Sequence, residues 1–381
     1  MEINPVETTT ANGTVRVESS IVSGAGSRTL WFDLDTVHER YIVTDRLDAF
    51  LVGSMLLAMQ EGEDLVVKGA VSEKLLYNLR NYYVPMLVLQ IPALKPIRIF
   101  ADAAPPALIA RGVATGFSAG VDSFCALYDH FFADVPSSFK LTHLVFNNVG
   151  SHGYKEHGRA RRLFRARYAL VRGYAGEIGL DLIGIDSNVS ELLMMNFQQT
   201  HVPRNVAPAL LLQRLLGKYY YASGYRYQDA FIGATHDLAY SDAASVHLLS
   251  TETLDCISSG SQYSRVEKTA RVAAIPGAER WLNVCVRSDG DGTNCSTCWK
   301  CCRTLFTLEV LGELARFAQA FDLESWARVR SGYIRSTILG DVGDPFVREI
   351  REHCDKVGYR FPRRDILAAK VLRLRRMLPR S

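Results

Sequence analysis

The sequence predicts an α/β protein built on a parallel sheet covered by helices on both faces, with a small α+β unit in front and a helical part behind. Three observations carry this reading. Short apolar runs alternate with helical segments between residues 112 and 232, as in a sheet whose crossovers cover both sides. Ahead of them, residues 14–21 and 29–34 alternate polar and apolar side chains, the period of half-buried strands. From about residue 304 the strand signal fades and helical spacing takes over. A chain of 381 residues exceeds one ordinary core, so residues 1–105 read as an accessory α+β domain, 106–310 as the main domain and 311–381 as a basic helical extension.

The elements follow in order. Residues 1–12, with three consecutive threonines, read as loose. After the two alternating strands, residues 47–59 have helical spacing and Gly62 stands close to their end. Residues 64–68 read as a strand, 72–82 as a helix opened by Ser72, and 96–100 as a further strand. Ala104, Pro105 and Pro106 mark a boundary. Beyond it, 112–117 is an apolar strand that runs into a turn of small residues and then a helix over 123–132. Strands are expected at 141–146, 181–185 and 230–232, a basic helix at 154–171 and a long helix at 206–221.

Composition narrows the classes. With 48% hydrophobic and 22% charged residues the chain is not of the disordered kind, and a net charge of +4 gives no strong pointer to a polyanionic partner. Nucleic acid is therefore disfavoured, although the tail from Arg363 to Arg380 is basic. No apolar run is long enough to span a bilayer and no leader pattern opens the chain, so no membrane contact is expected. The eight cysteines begin only at Cys125, and four of them crowd into residues 295–302. Such crowding suits a metal site in a reducing compartment, and the cytoplasm is the expected location.

Segment 115–123 reads TGFSAGVDS. Small side chains after a strand let backbone N–H groups approach an anion, and the helix that follows adds its positive end. Ser118 and Ser123 offer hydroxyls to phosphate oxygens, with Ser123 also placed to cap the helix. Asp122 suits a phosphate only with a divalent cation between them, which ATP brings as Mg2+. The residues alone fit a plain strand-to-helix turn as well, and no Gly-Lys-Ser/Thr follows to make a Walker A loop.

Cys285, Cys295, Cys298 and Cys301 are separated by nine, two and two residues. Four thiolates so spaced can enclose one tetrahedral Zn2+, a closed and therefore structural site; an iron–sulfur cluster is the other metal option. The regular steps favour Cys301 over its neighbour Cys302. Lys300 and Arg303 either balance the thiolate charge, touch an acidic substrate or form plain surface.

The loop resembles the SGGxDS signature of the PP-loop ATP pyrophosphatases. Ser118, Gly120, Asp122 and Ser123 match, while Ala119 replaces a glycine, tolerable at negative φ and crowding at positive φ. Further matches in order are VPRN at 202–205, GATHD at 233–237 with YSD at 240–242, RVEK at 265–268, and the cysteine motif. Together they resemble the 7-cyano-7-deazaguanine synthase family over residues 110–310. Ser241 in place of that family's proline, and Ala243-Ala244 in place of Cys-Arg, argue against its deazaguanine substrate. The overall build, a front domain ahead of such a core, is more similar to the ATP-dependent UDP-muramoyl-dipeptide glutamate epimerases.

The resemblance implies a five-stranded parallel PP-loop (HUP-like) sheet and ATP cleaved to AMP and pyrophosphate. Ser118, Ala119, Gly120, Val121, Asp122, Ser123 and Asn147 would hold the nucleotide. Lys268 and Arg204 would balance charge on the departing pyrophosphate, Asp122 and Asp237 would hold Mg2+, and His236 and His201 could each serve as a base. The implied reaction adenylates a small-molecule carboxylate that then meets ammonia or an amine to give an amide-type product. Epimerisation through the same acyl-adenylate and tRNA modification are the alternatives. A homodimer is the expected assembly.

Overall fold

The computed structural model describes residues 1–104, 107, 109–152, 157–287, 292–340 and 343–377. Among them one mixed sheet of eleven strands forms the centre: β1 (Glu2–Ile3), β2 (Glu7–Ala11), β3 (Thr14–Ser23), β4 (Gly26–Asp35), β5 (Leu65–Ser72), β6 (Ile99–Ala104), β7 (Gly112–Gly116), β8 (His143–Asn148), β9 (Asp181–Ser187), β10 (Leu216–Ala222) and β11 (Asp255–Ser259). Their order is β11-β10-β7-β8-β9-β4-β3-β1-β5-β6, with β2 added on β3. The half from β11 to β9 is parallel throughout. The front strands join it antiparallel, Phe32 opposite Ser187 and Asp33 opposite Asp186. The Asn188 side chain extends this short pairing as a stand-in for backbone, accepting from Trp31 N at 2.9 Å and donating to Thr29 O at 2.7 Å.

Alternation along the strands splits the core in two, because successive side chains leave a strand on opposite faces. Ala114, Val145, Ile183 and Tyr219 face one apolar cluster with the helices Asp48–Glu61 and His201–Leu210. Val113, Leu144, Phe146 and Tyr220 face the other, under the helices Val121–Leu127, His157–Ile178, Arg265–Ala273 and Trp299–Val310. Helix Asp48–Glu61 is buried from Asp48 to Met59, so it is apolar almost all round. It can lie that close because Gly53 has no side chain: a Cβ there would stand 2.9 Å from Leu30 Cδ2.

Several expectations are corrected. Residues 206–221 are not one helix: the helix ends at Leu210 and the chain returns as the strand β10. Residues 230–232 form no strand, and Phe231 and Ile232 are exposed. Strand β11, Asp-Cys-Ile-Ser-Ser, was not expected, because its two apolar residues are adjacent rather than alternating. Residues 7–11 are not loose but pair with β3, Thr10 opposite Val15. The helix after the loop starts at Val121 with Gly120 as its cap, so Ser123 sits inside it and donates instead to Gly120 O at 3.0 Å. The Ser72 hydroxyl goes not to a helix end but to buried Asp48, at 2.6 Å. Pro105 and Pro106 of the expected boundary, residues 154–156 of the expected basic helix, and Arg380 lie outside the described residues. No helix among the described residues is long and apolar enough to cross a membrane.

Candidate functional site

A cleft of about 380 Å3 opens at the carboxyl ends of β7, β8 and β10. Ligands of parallel sheets bind at these ends, where the crossover loops collect. One wall is segment 116–123. Gly116 ends β7 with no room for a side chain, since a Cβ would come 3.0 Å from Tyr219 Oη. Phe117 N holds the strand one step longer by donating to Val145 O at 2.8 Å. Ser118 is exposed to the cleft, Ser123 lines it, and Ala119 O turns away to accept from Asn283 N at 2.8 Å. Ala119 itself has φ +58, so the departure from glycine falls at a left-handed position and costs about 1–2 kcal/mol of strain.

Asp122 and Lys268 are brought together. Helix Arg265–Ala273 begins in a capping box, in which the Ser264 hydroxyl accepts from Glu267 N and Glu267 accepts from Ser264 N. That fixed start aims Arg265 and Lys268, one turn apart, at a single carboxylate: Arg265 Nη1 lies 2.9 Å from Asp122 Oδ2 and Lys268 Nζ 3.0 Å from Oδ1. Lys268 is fully buried and also donates to Ser223 O and Gly224 O. Burial would raise the Asp122 carboxyl, but Arg265 and Lys268 outweigh it and hold the group below its ordinary range. Arg265 was not among the sequence candidates; its spacing of three from Lys268 is the signal that was there to read.

The second wall carries the cysteines. Sγ atoms of Cys285, Cys295, Cys298 and Cys301 all lie within 4.8 Å of one another, and Cys302 is outside the group, its thiol donating to Thr297 O at 3.3 Å. A tetrahedron of thiolates around Zn2+ has sulfurs about 3.8 Å apart, so a small contraction would complete it. Ser296, buried and at φ +59, makes the turn that returns Cys298 toward Cys295, and Cys298 N donates to Cys295 Sγ at 3.3 Å. The hydrogen bond from Cys301 lowers the Cys298 thiol from its ordinary value. These residues fit a single metal ion.

Helix Trp299–Val310 grows directly from this turn, with Cys298 as its cap, and places Lys300 and Arg303 on the cleft. Burial, then Arg303 and Arg265, push the Lys300 amine down to about 8. Burial and Arg265 bring Arg303 to about 10. Arg167, the member of the basic helix that reaches the cleft, instead donates to Cys285 O at 2.7 Å. Arg161 of the same helix pairs with Glu191 at 2.7 Å.

The remaining candidates divide. Asn147 lines the cleft, whereas its neighbour Asn148 points to the opposite face and donates to Asp186 Oδ1 at 2.6 Å. Arg204 is buried beneath the site and reaches Val149 O and Met195 O rather than the cleft. His236 is exposed and does not line it. Asp237 is not beside Asp122's loop either: its Oδ1 accepts from Ala239 N at 3.0 Å and stands 3.3 Å from His201 Nε2. The other nitrogen of His201, Nδ1, lies 2.5 Å from Tyr221 Oη, and Tyr221 does line the cleft. This Asp237–His201–Tyr221 chain was hidden from the sequence because Tyr221 was read as helical. Nearby Asp242 is fully buried, and burial pushes its carboxyl up to about 7.

Set against family models, curated proteins and solved structures, the chain gives no match.

Proposed function

We propose that this protein is an adenylating enzyme of the PP-loop ATP pyrophosphatase kind. A carboxylate oxygen of a small-molecule acceptor attacks the α-phosphorus of ATP at the 118–123 loop. The new O–P bond forms as the bond to the β-phosphate oxygen breaks, and pyrophosphate leaves. Ammonia or an amine then attacks the acyl carbon, loses a proton, and expels AMP to give an amide-type product. The observation that carries this reading is the exposed Ser118 turn at the carboxyl end of β7, facing a cleft lined on the loop side by Arg265, with Lys268 buried behind it. Cations fixed there would stabilise charge that grows on the leaving phosphates.

Within this reading Arg265 and Lys268 are the loop's charge reserve, and Asp122 holds both in place. Mg2+ would supply charge neutralisation between phosphates, and Asp122, each of whose oxygens accepts one hydrogen bond here, would hold it. The four cysteines would hold Zn2+, which supplies cross-linking of the second wall and no open coordination position.

The test is incubation of the protein with ATP, Mg2+ and a panel of small-molecule carboxylates and tRNA, with AMP, pyrophosphate and ADP measured separately. Acceptor-dependent AMP and pyrophosphate are expected, and Asp122→Ala should abolish both. ADP and phosphate, or an unchanged rate in Asp122→Ala, would sink the assignment.

Epimerisation through the acyl-adenylate is favoured as a second reading by the Asp237–His201–Tyr221 chain. Tyr221 would give its proton to His201 as it takes one from the carbon next to the activated carboxyl, a proton returns to the opposite face of that carbon, and water then releases the acid from AMP. Burial raises the Tyr221 phenol, which His201 beside it must offset. Deuterium from solvent entering that carbon, and lost in Tyr221→Phe, separates this outcome from amide formation. A thiolating tRNA enzyme is less well supported, since Cys125, Cys256, Cys302 and Cys354 are all buried.

A further inference from the structure

We propose that Lys300 and Arg303 form a carboxylate subsite, which holds an acidic group of the acceptor while the nucleotide phosphates lie against the loop. What occupies the loop rests on the adenylation reading above; the subsite itself rests on geometry. Lys300 and Arg303 are three residues apart in the first turn of helix Trp299–Val310, so they share a face, and both line the cleft. Among the described residues neither side chain has a carboxylate within ion-pair distance, in contrast to Arg265 and Lys268, whose charges meet Asp122. Nor are they the cations that meet the cysteine loop, where Arg167 already donates to Cys285 O.

The Arg303 guanidinium is steered by aromatic rings, lying 4.2 Å from the centre of Phe346 and 5.0 Å from that of Trp299. A guanidinium stacked on rings keeps its N–H edge for a ligand, and that edge matches the two coplanar oxygens of a carboxylate. Lys300 adds a point charge one turn earlier. Cys298 caps the helix and Cys301 lies between the two cations, so the metal-binding turn sets where both begin. Two neighbouring like charges, one buried and one half-buried, are unfavourable without a counter-ion, and an acidic ligand relieves them.

Calorimetric titration of glutarate, and separately of inorganic phosphate, into the full-length metal-loaded protein tests this, with and without saturating α,β-methylene-ATP and Mg2+. Glutarate should bind, and Arg303→Gln and Lys300→Gln should each weaken it about tenfold or more. Arg303→Lys should restore only part, since the edge pair is lost with the guanidinium. Affinity for the ATP analogue should move by less than about threefold in the same variants. Unchanged melting and metal content establish that the variants are folded.

Absence of glutarate binding to the native protein, or binding indifferent to Arg303, overturns the subsite. So does a Gln variant whose loss falls on the ATP analogue, which would assign both cations to the phosphates. Preference for inorganic phosphate over glutarate replaces the carboxylate class. If the analogue fails to bind but glutarate still depends on Arg303, the nucleotide reading falls and the subsite stands.

Discussion

The two walls of the cleft differ in whether a carboxylate meets their cations, although Phe346 lies under a guanidinium from each, Arg265 at 4.7 Å and Arg303 at 4.2 Å. On the loop wall Lys268 is fully buried and tied to Asp122 and two carbonyls, and Arg265 shares the same carboxylate. On the cysteine wall Arg303 rests on Phe346 and Trp299, and Lys300 stands beside it. On the first wall two cations share the Asp122 carboxylate before any ligand arrives, so their charges shape the loop. On the second, no carboxylate among the described residues pairs with Lys300 or Arg303, and the cysteine turn sets where both begin. Under the subsite proposal the acidic group of the acceptor goes to the second wall and the phosphates to the first.

The largest effect should come from the cluster itself. Cys298→Ser, or a strong chelator, should lower Tm by about 10 °C or more, because metal binding at such a turn is folding free energy. Hydrogen exchange sharpens the comparison: amides around 292–303 should lose protection while those of 113–127 keep theirs. Equal loss on both walls would show them to be one unit.

Next in size is the contrast between two substitutions. Lys268→Met removes one of two partners from Asp122, whose side chain is 30% exposed, and should cost about 2–4 kcal/mol in urea unfolding. Arg303→Met should cost less than about 1 kcal/mol, since methionine keeps the ring contacts and no pair is broken. Comparable losses would erase the distinction between the walls. Acid gives the same contrast with a sign. The folded Asp122 carboxyl lies below its ordinary range, so its stabilisation is complete above about pH 4 and fades as pH falls through the folded value. Lys268→Met should flatten that acid limb of a stability profile, and Arg303→Met should leave it intact.

The smallest expected effect is on the loop backbone. Ala119→Gly should stabilise the protein by about 1 kcal/mol by removing left-handed strain at φ +58. A destabilised glycine variant would mean that loop entropy outweighs the strain.

Much of this was legible in the chain. The cysteine spacing and the turn at 118–123 led to both walls, because ligand spacing and small residues are local signals. The alternating strands β3 and β4 were visible for the same reason. Strand β10 was not: a central parallel strand is covered on both faces, so the run from Leu210 to Tyr221 lacks period-two alternation and reads as a continuation of the helix before it. In the fold Ala209 and Leu210 close that helix, and the apolar residues that follow belong to the turn and the strand. Strands β11 and β2 failed for the opposite reason, since neither edge segment carries an apolar period. The Asp237–His201–Tyr221 chain joins three separate segments, and only the fold brings them together.

The antiparallel seam between β4 and β9 has a consequence for how the chain avoids association. Without β3 and β4, the parallel half would end at β9 with a row of unpaired backbone donors and acceptors, the kind of border onto which other chains add strands. Strand β4 pairs with the last two residues of that border, Asp186 and Ser187, and Asn188 clips the join at Thr29 and Trp31. A version of the chain cut down to its parallel half would free the end of β9 and is expected to associate more readily than the full chain.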